Sequence, residues 1–370
     1  MRRTSGLLRL AGLLTVFAML LAACGSTSGN GTTPTPGTTS TPKAKFTVAL
    51  VTDVGGLNDG GFNQLAHTGY ENARTQYGFP DVVIQTQTPT ATEYVTNLTS
   101  AANQADVVIA VGFLMQTPLD QVARHFTSKM FAIVDGCAVP NPNTGACENL
   151  PNVAPLFFKE QEAGCLVGAI AGQMEVDGKS KVPHLLGKNT IGAVGGLPIP
   201  PVNRYIAGYK YCATKVDPSV KVVIGYSSNF SDPTICKGIA NKQITDNMAD
   251  IIFQVAGGCG IGVLDAAKAK NVYSIGVDAD QSKDSTGAVR PGVITSALKR
   301  VDTAVFTIID DAEKGTYAAF VASPTKFDLT HDGVGYGTTS SDVPQDAITT
   351  ANNYASMIKS GTLVPPEAIP

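Results

Sequence analysis

The chain has 370 residues, a formal net charge of −3, 43% hydrophobic and 15% charged side chains, and no tryptophan. Such a composition suits a well-packed globule of more than one domain rather than a disordered chain. Without a basic excess or a long Lys/Arg run there is no face for nucleic acid, so partners are expected among small molecules and proteins.

The first elements are those of export. Arg2 and Arg3 precede an uncharged apolar run over 10–21, and Leu21-Ala22-Ala23-Cys24 forms a lipobox, so 1–23 reads as a lipoprotein signal peptide and Cys24 as its lipidation site. A run of about a dozen apolar residues is too short to cross a ~30 Å hydrocarbon core. Residues 24–43, nearly all Gly, Ser, Thr, Pro and Asn after the cysteine, predict a flexible tether. The expected location is the extracytoplasmic face of the cell membrane, held there by lipid.

From Ala44 onward strands and helices alternate. An apolar strand from Val48 ends at Asp53, and Gly55, Gly56, Gly60 and Gly61 free the backbone to turn before a helix near Gln64, presenting Phe62 and Asn63. Two readings stand for this turn: a binding edge, because ligands collect at strand-to-helix crossings, or a plain surface loop. Helix 64–77, strand 82–85, helix 92–104, strand 107–111, helix 116–128 and strand 131–134 follow, a βα alternation that predicts a parallel sheet with right-handed crossovers. The alternation restarts with helix 160–174, strand 191–194, helix 202–215, strand 220–226, helix 232–248, strand 251–254, helix 261–270 and strand 272–277. Strand 293–296 and helix 301–314 are expected to return to the first lobe, and helix 345–359 to cover either lobe. The fold class expected is α/β, with two doubly wound parallel-sheet lobes joined by a hinge. Lobe 1 is placed at 44–157 with 292–330 and lobe 2 at 158–291 with 331–370, an arrangement suited to clam-like closure.

Several segments carry chemistry. Gly172 to Ser180 imitates a phosphate-binding loop, but five residues separate its glycines where four are needed and it follows a helix, so a helix end is the better reading. Gly257-Gly258-Cys259-Gly260-Ile261-Gly262 opens a helix after a strand; its glycines serve either close approach to a ligand or tight packing. Asp278 and Asp280, alternate residues at a strand end, either face one site, where a carboxylate suits sugar hydroxyls better than a metal, or cap the helix or turn beyond. Ser227 to Asp232 places Phe230 in a polar turn, repeating the arrangement of Phe62; either the ring folds back into the core, or two such rings on opposite lobes clamp a flat heterocycle. With Cys24 lipidated, six cysteines remain; Cys137 and Cys147, flanking a Pro/Asn/Gly loop, are the expected disulfide. No zinc cluster, hydrolase elbow or cofactor fingerprint of the right spacing occurs, so neither metal nor cofactor is expected.

With these segments in hand, the chain resembles the basic membrane protein family of ABC-transporter substrate-binding lipoproteins, the purine nucleoside receptor group in particular. The resemblance rests on 51–63 (Val-Thr-Asp-Val-Gly-Gly-Leu-Asn-Asp-Gly-Gly-Phe-Asn), 131–135, 158–168, 191–196, 228–232, 257–262, 275–281 and 295–299. It implies a type I periplasmic-binding fold closing on a nucleoside, no enzymatic activity, and an ABC permease as partner. It further implies that Phe62 and Phe230 sandwich the base, that Asn63 addresses its polar edge, and that Asp53 and Asp135 add polar contacts. Asp278 and Lys299 would hold the ribose hydroxyls; Asp135 and Lys299 rest on the resemblance alone. Gly61, where many members have Ser, and Cys259, which interrupts the glycine-rich turn, depart from the family pattern. Two other functions compete: a sensing receptor that signals to a membrane partner, and a nucleoside-processing enzyme with Asp53 or Asp278 as base.

Overall fold

The computed structural model describes residues 44–370; the signal segment, Cys24 and the tether lie outside the described residues. The chain runs β1 (Val48–Thr52), α1 (Phe62–Tyr77), β2 (Val83–Gln85), α2 (Ala91–Gln104), β3 (Val107–Val111), α3 (Gln116–His125), β4 (Met130–Val134) and β5 (Val153–Leu156). It continues through α4 (Glu160–Asp177), β6 (Thr190–Gly195), α5 (Pro200–Val216), β7 (Lys221–Tyr226), α6 (Pro233–Asn247), β8 (Ile251–Val255), α7 (Ile261–Lys270) and β9 (Tyr273–Asp278). Last come β10 (Val293–Lys299), α8 (Val301–Lys314), α9 (Tyr317–Ala322), β11 (Val334–Tyr336) and α10 (Gln345–Lys359).

Two sheets result, ordered β2-β1-β3-β4-β5 and β11-β10-β9-β8-β6-β7. The first is wholly parallel; the second is parallel except where β11 runs antiparallel along β10. β1, β3 and β8 are buried at every position, which is why they read as unbroken apolar runs: helices cover both faces of a parallel sheet. β5 carries Pro155, which a sheet tolerates at an edge, and β5 is the edge strand of its sheet.

The structure corrects one placement. The strand expected at 293–296 in the first lobe is β10, which pairs with β9 inside the second sheet. The connection from β9 to β10 contains no helix, so the βα rhythm that signals a neighbouring parallel strand is missing there. The chain crosses over only afterwards, at Arg300, and α8 packs on α1. The final helix α10 packs on α4. Among the described residues there are three disulfides: Cys137 with Cys147, Cys165 with Cys212, and Cys236 with Cys259.

Candidate functional site

The carboxyl ends of the strands in both sheets point into one cleft, which encloses about 630 Å³ of empty space, part of it continuous with solvent. Asp53, Phe62, Asn63, Asp135, Phe230, Asp278 and Lys299 all line it, so the structure brings these seven together.

On the first sheet, β1 delivers Asp53. Its Oδ1 accepts hydrogen bonds from the Val54 N–H at 2.7 Å and from the Tyr94 hydroxyl on α2. Burial pushes this carboxyl up to about 6 against the pull of those two donors. Gly112, at φ +128°, is required beside it, because a Cβ there would lie 2.6 Å from Asp53 Oδ2. The turn that follows β1 is organised by Asp59, which sequence reasoning passed over. Its carboxylate accepts from the N–H groups of Gly61, Asn63 and Gln64 at 3.0, 2.8 and 3.2 Å, capping α1 in place of a side chain on Gly61. An Asp just ahead of an apolar helical pattern is the signal that marks such a cap. The cap starts α1 at Phe62, two residues before the sequence placed it, and fixes Asn63. The Asn63 Nδ2 donates to the Val54 carbonyl at 3.1 Å, leaving its buried Oδ1 without a partner.

Asp135 and Asp278 occupy equivalent places in the two sheets, just after β4 and at the last position of β9. Both adopt the left-handed backbone that few residues other than glycine accept, with φ of +66° and +61°. Such conformations cost free energy and persist where the surroundings impose them, commonly at ligand sites. The turn at Asp278 also ends strand alternation. Asp280, which on one reading shares the site, instead accepts from the N–H groups of Ser282 and Thr338 at 3.0 and 3.1 Å and does not line the cleft. Asp278 Oδ1 accepts from the Tyr205 hydroxyl at 3.0 Å, and burial pushes its carboxyl up to about 7.

Lys299, at the end of β10, is the only cation lining the cleft among the described residues. It is 1% exposed, a placement rare for lysine unless it is paired. Its Nζ donates to Asp135 at 2.6 Å and to Glu160 at 3.0 Å, and Glu160 in turn accepts from Arg204 Nε at 2.6 Å. Burial alone would lower the Lys299 pKa, but Asp135 and Glu160 outweigh it and hold the ammonium charged. Burial alone would likewise raise Glu160, yet Lys299 and Arg204 keep it below the usual carboxylate value. Burial raises Asp135 to about 6 in spite of Lys299. The ammonium also lies 5.2 Å from the ring centre of Phe62 and 4.8 Å from that of Phe158, within cation–π range.

Phe230 enters from the loop between β7 and α6. Its ring lies over Gly196, where a Cβ would come within 2.1 Å of it, so Gly196 leaves the space the ring fills. Tyr205 and Phe113 complete the lining in ways the sequence did not signal, since each reads locally as an ordinary core aromatic. The cleft thus sets apolar rings beside four aspartates and a lysine whose charge is offset by Asp135 and Glu160.

Two doubly wound sheets facing each other across a cleft lined from their strand ends define a type I periplasmic solute-binding protein. The chain belongs to the family of PnrA-like ABC transporter substrate-binding proteins, whose family model matches residues 46–366. It is 32% identical over 298 residues to an uncharacterized lipoprotein of Pyrococcus horikoshii, covering 78% of this chain and 68% of that one. To the ABC transporter nucleoside-binding protein of Lactococcus lactis subsp. cremoris it is 29% identical over 311 residues, covering 80% and 82% of the two chains. Among solved structures, an ABC transporter solute-binding protein from Aeropyrum pernix K1 superimposes with a TM-score of 0.72 at 27% identity, over 86% of this chain and 93% of that one. The protein is therefore a substrate-binding component of an ABC transporter, not an enzyme, and a permease is its partner.

Proposed function

We propose that the solute is a nucleoside, with a purine base, captured between the two lobes and passed to the permease by a receptor anchored outside the cell membrane through lipid on Cys24. The observation that carries this reading is that Phe62 and Phe230, one on each lobe, line the same cleft as Asn63, Asp278 and Lys299. A base stacked on aromatic rings gains about 1–3 kcal/mol per contact. The unpartnered Asn63 Oδ1 accepts an N–H from the base edge, with Asp53 beside it as a second acceptor. Asp278 keeps Oδ2 free for a ribose hydroxyl after Tyr205 has taken Oδ1, and Lys299 and Asp135 close that end. The Lactococcus lactis relative, named as nucleoside-binding, supports the same assignment.

The test is mass spectrometry of protein purified from membranes and then denatured. A released nucleoside is expected, together with an N-terminal peptide carrying a diacylglyceryl group on Cys24. Release of a free sugar or of an aliphatic molecule with no ring to stack overturns the nucleoside assignment, and an unmodified Cys24 overturns the anchor.

A further inference from the structure

Phe230 is held by a tie that lies outside the cleft. Its carbonyl accepts a hydrogen bond of 3.0 Å from the Cys259 N–H, in the glycine-rich turn after β8. The Cys259 sulfur is bonded to Cys236 on α6, the helix that the Phe230 loop leads into. Both cysteines are fully buried, in an apolar cluster with Val194, Ala240 and Val263. The turn sits close against the loop, since a Cβ at Gly257 or Gly258 would lie 3.4 Å from the Phe230 carbonyl oxygen. The ring itself meets Gly196. The loop is thus confined by Gly196 and by a turn whose position is fixed covalently from α6.

We infer that the Cys236–Cys259 disulfide is a positioning element of the binding site: it pins the glycine-rich turn to α6, the turn fixes the Phe230 carbonyl, and the ring is thereby set at stacking height in the cleft. This rests on the reading of Phe230 as a stacking residue. The cysteine that departs from the family's glycine-rich turn then has a function, because a short glycine run left untied would let the Phe230 loop drift. Ring placement matters at this scale, since stacking falls off when a ring is displaced from contact.

A mutational cycle read by calorimetry tests it, using whichever of inosine, adenosine and guanosine binds most tightly. The Cys236→Ala/Cys259→Ala protein is expected to bind about tenfold more weakly, a change of about 1.4 kcal/mol. Phe230→Ala is expected to lose at least as much, and combining it with the cysteine pair to add nothing further, because the pair acts only through the ring. Cys165→Ala/Cys212→Ala, which unties α4 from α5, controls for the general loss of a cross-link: it lowers the melting temperature and leaves the Kd close to wild type. Should the alanine pair fail to fold, Cys236→Val/Cys259→Ala, which refills the space of the sulfurs, is measured in its place. A folded pair variant with wild-type Kd overturns the inference, as does a loss that persists in the Phe230→Ala background. An unchanged Kd in Phe230→Ala itself overturns the stacking reading, and the positioning role with it.

Discussion

Asp278 is buried at the end of β9, with Tyr205 on one oxygen and the charges of Lys299 and Asp135 nearby, and burial lifts its carboxyl from 3.8 to about 7. A raised carboxyl keeps its proton in the folded protein over a pH range in which the unfolded chain has lost it. Its contribution to stability is therefore fully present below about pH 4 and declines as pH rises to about 7, where it levels off. Asp53, lifted to about 6, adds the same sign over a shorter span. Ligand binding runs the other way. A ribose hydroxyl donating to Asp278 favours the carboxylate, so capture below about pH 7 must expel a proton and the Kd must strengthen as pH rises toward that value. Asp278→Asn is expected to reduce both slopes: the ligand-free variant melts higher than wild type at pH 8, and its weaker binding varies less with pH around 7, leaving the change near pH 6 that Asp53 and Asp135 contribute. Calorimetry in buffers of different ionisation enthalpy reads the proton directly. Absence of proton release by the wild-type protein at pH 6 would show that the ligand does not hydrogen-bond to this carboxylate.

At the level of elements, α4 and α5 approach each other backbone to backbone. Gly164, Gly168 and Gly172 recur every fourth residue on α4, and Cβ atoms there would lie 2.1, 2.2 and 2.8 Å from the carbonyl oxygens of Tyr205, Tyr209 and Ala213. Gly208 does the same from α5, facing the Gln161 carbonyl at 2.0 Å, and Cys165–Cys212 ties the helices together. Backbone-to-backbone contact leaves nothing flexible to yield, so Gly168→Ala is expected to cost about 1–3 kcal/mol in urea unfolding. A variant as stable as wild type would mean that the pair separates freely. The helix α4 was legible as a helix in the sequence, but this stripe was not, because a helix buried nearly all round presents no polar face against which to read a contact. The alternation of strands and helices was legible because each parallel strand is a continuous apolar run. β5 was missed because Pro155 disguises it, and β11 because three residues with a central glycine carry no pattern. Among site residues, Asp53, Phe62, Asn63, Phe230 and Asp278 each stand at a strand end or in a glycine-rich turn, where position alone is informative. Lys299 and Asp135 also stand at strand ends, but only the resemblance marked them: a buried lysine looks like a solvated one until the fold supplies Glu160 and Asp135 as its partners.

The whole molecule closes by joining the ends of the two sheets. Its lobes are linked by the segments at 157–159, 299–301 and 323–333, and two of these pair with each other: the Lys159 N–H donates to Phe327 at 3.1 Å and the Phe327 N–H to Phe157 at 2.9 Å. Phe158 stacks on Phe327 at 5.0 Å between ring centres, giving the crossing a packed pivot. Across the cleft, Lys299 reaches Asp135, and Gln281, after β9, donates from Nε2 to the Gly60 carbonyl in the β1–α1 turn at 3.0 Å. Gln281 does not line the cavity, so it separates closure from ligand contact. Its Oε1 accepts from Gln254 Nε2 and the Val277 N–H at 2.7 and 3.1 Å, bonds that stay within the second lobe. Gln281→Glu keeps that acceptor and its shape while exchanging the donor toward Gly60 for a carboxylate oxygen, which removes the latch and sets a buried acceptor against the Gly60 carbonyl. A hydrogen bond of this kind is worth about 0.5–1.5 kcal/mol, so the Kd is expected to weaken by about two- to tenfold. The loss belongs in the dissociation rate, because the latch forms only after the lobes have met, and most interface effects are found there. Small-angle scattering of the ligand-free variant should accordingly show a larger radius of gyration than wild type, with saturating nucleoside restoring the compact value. Stopped-flow dissociation that matches wild type, with superimposable scattering profiles, would show that the Gln281 bond does not latch the lobes.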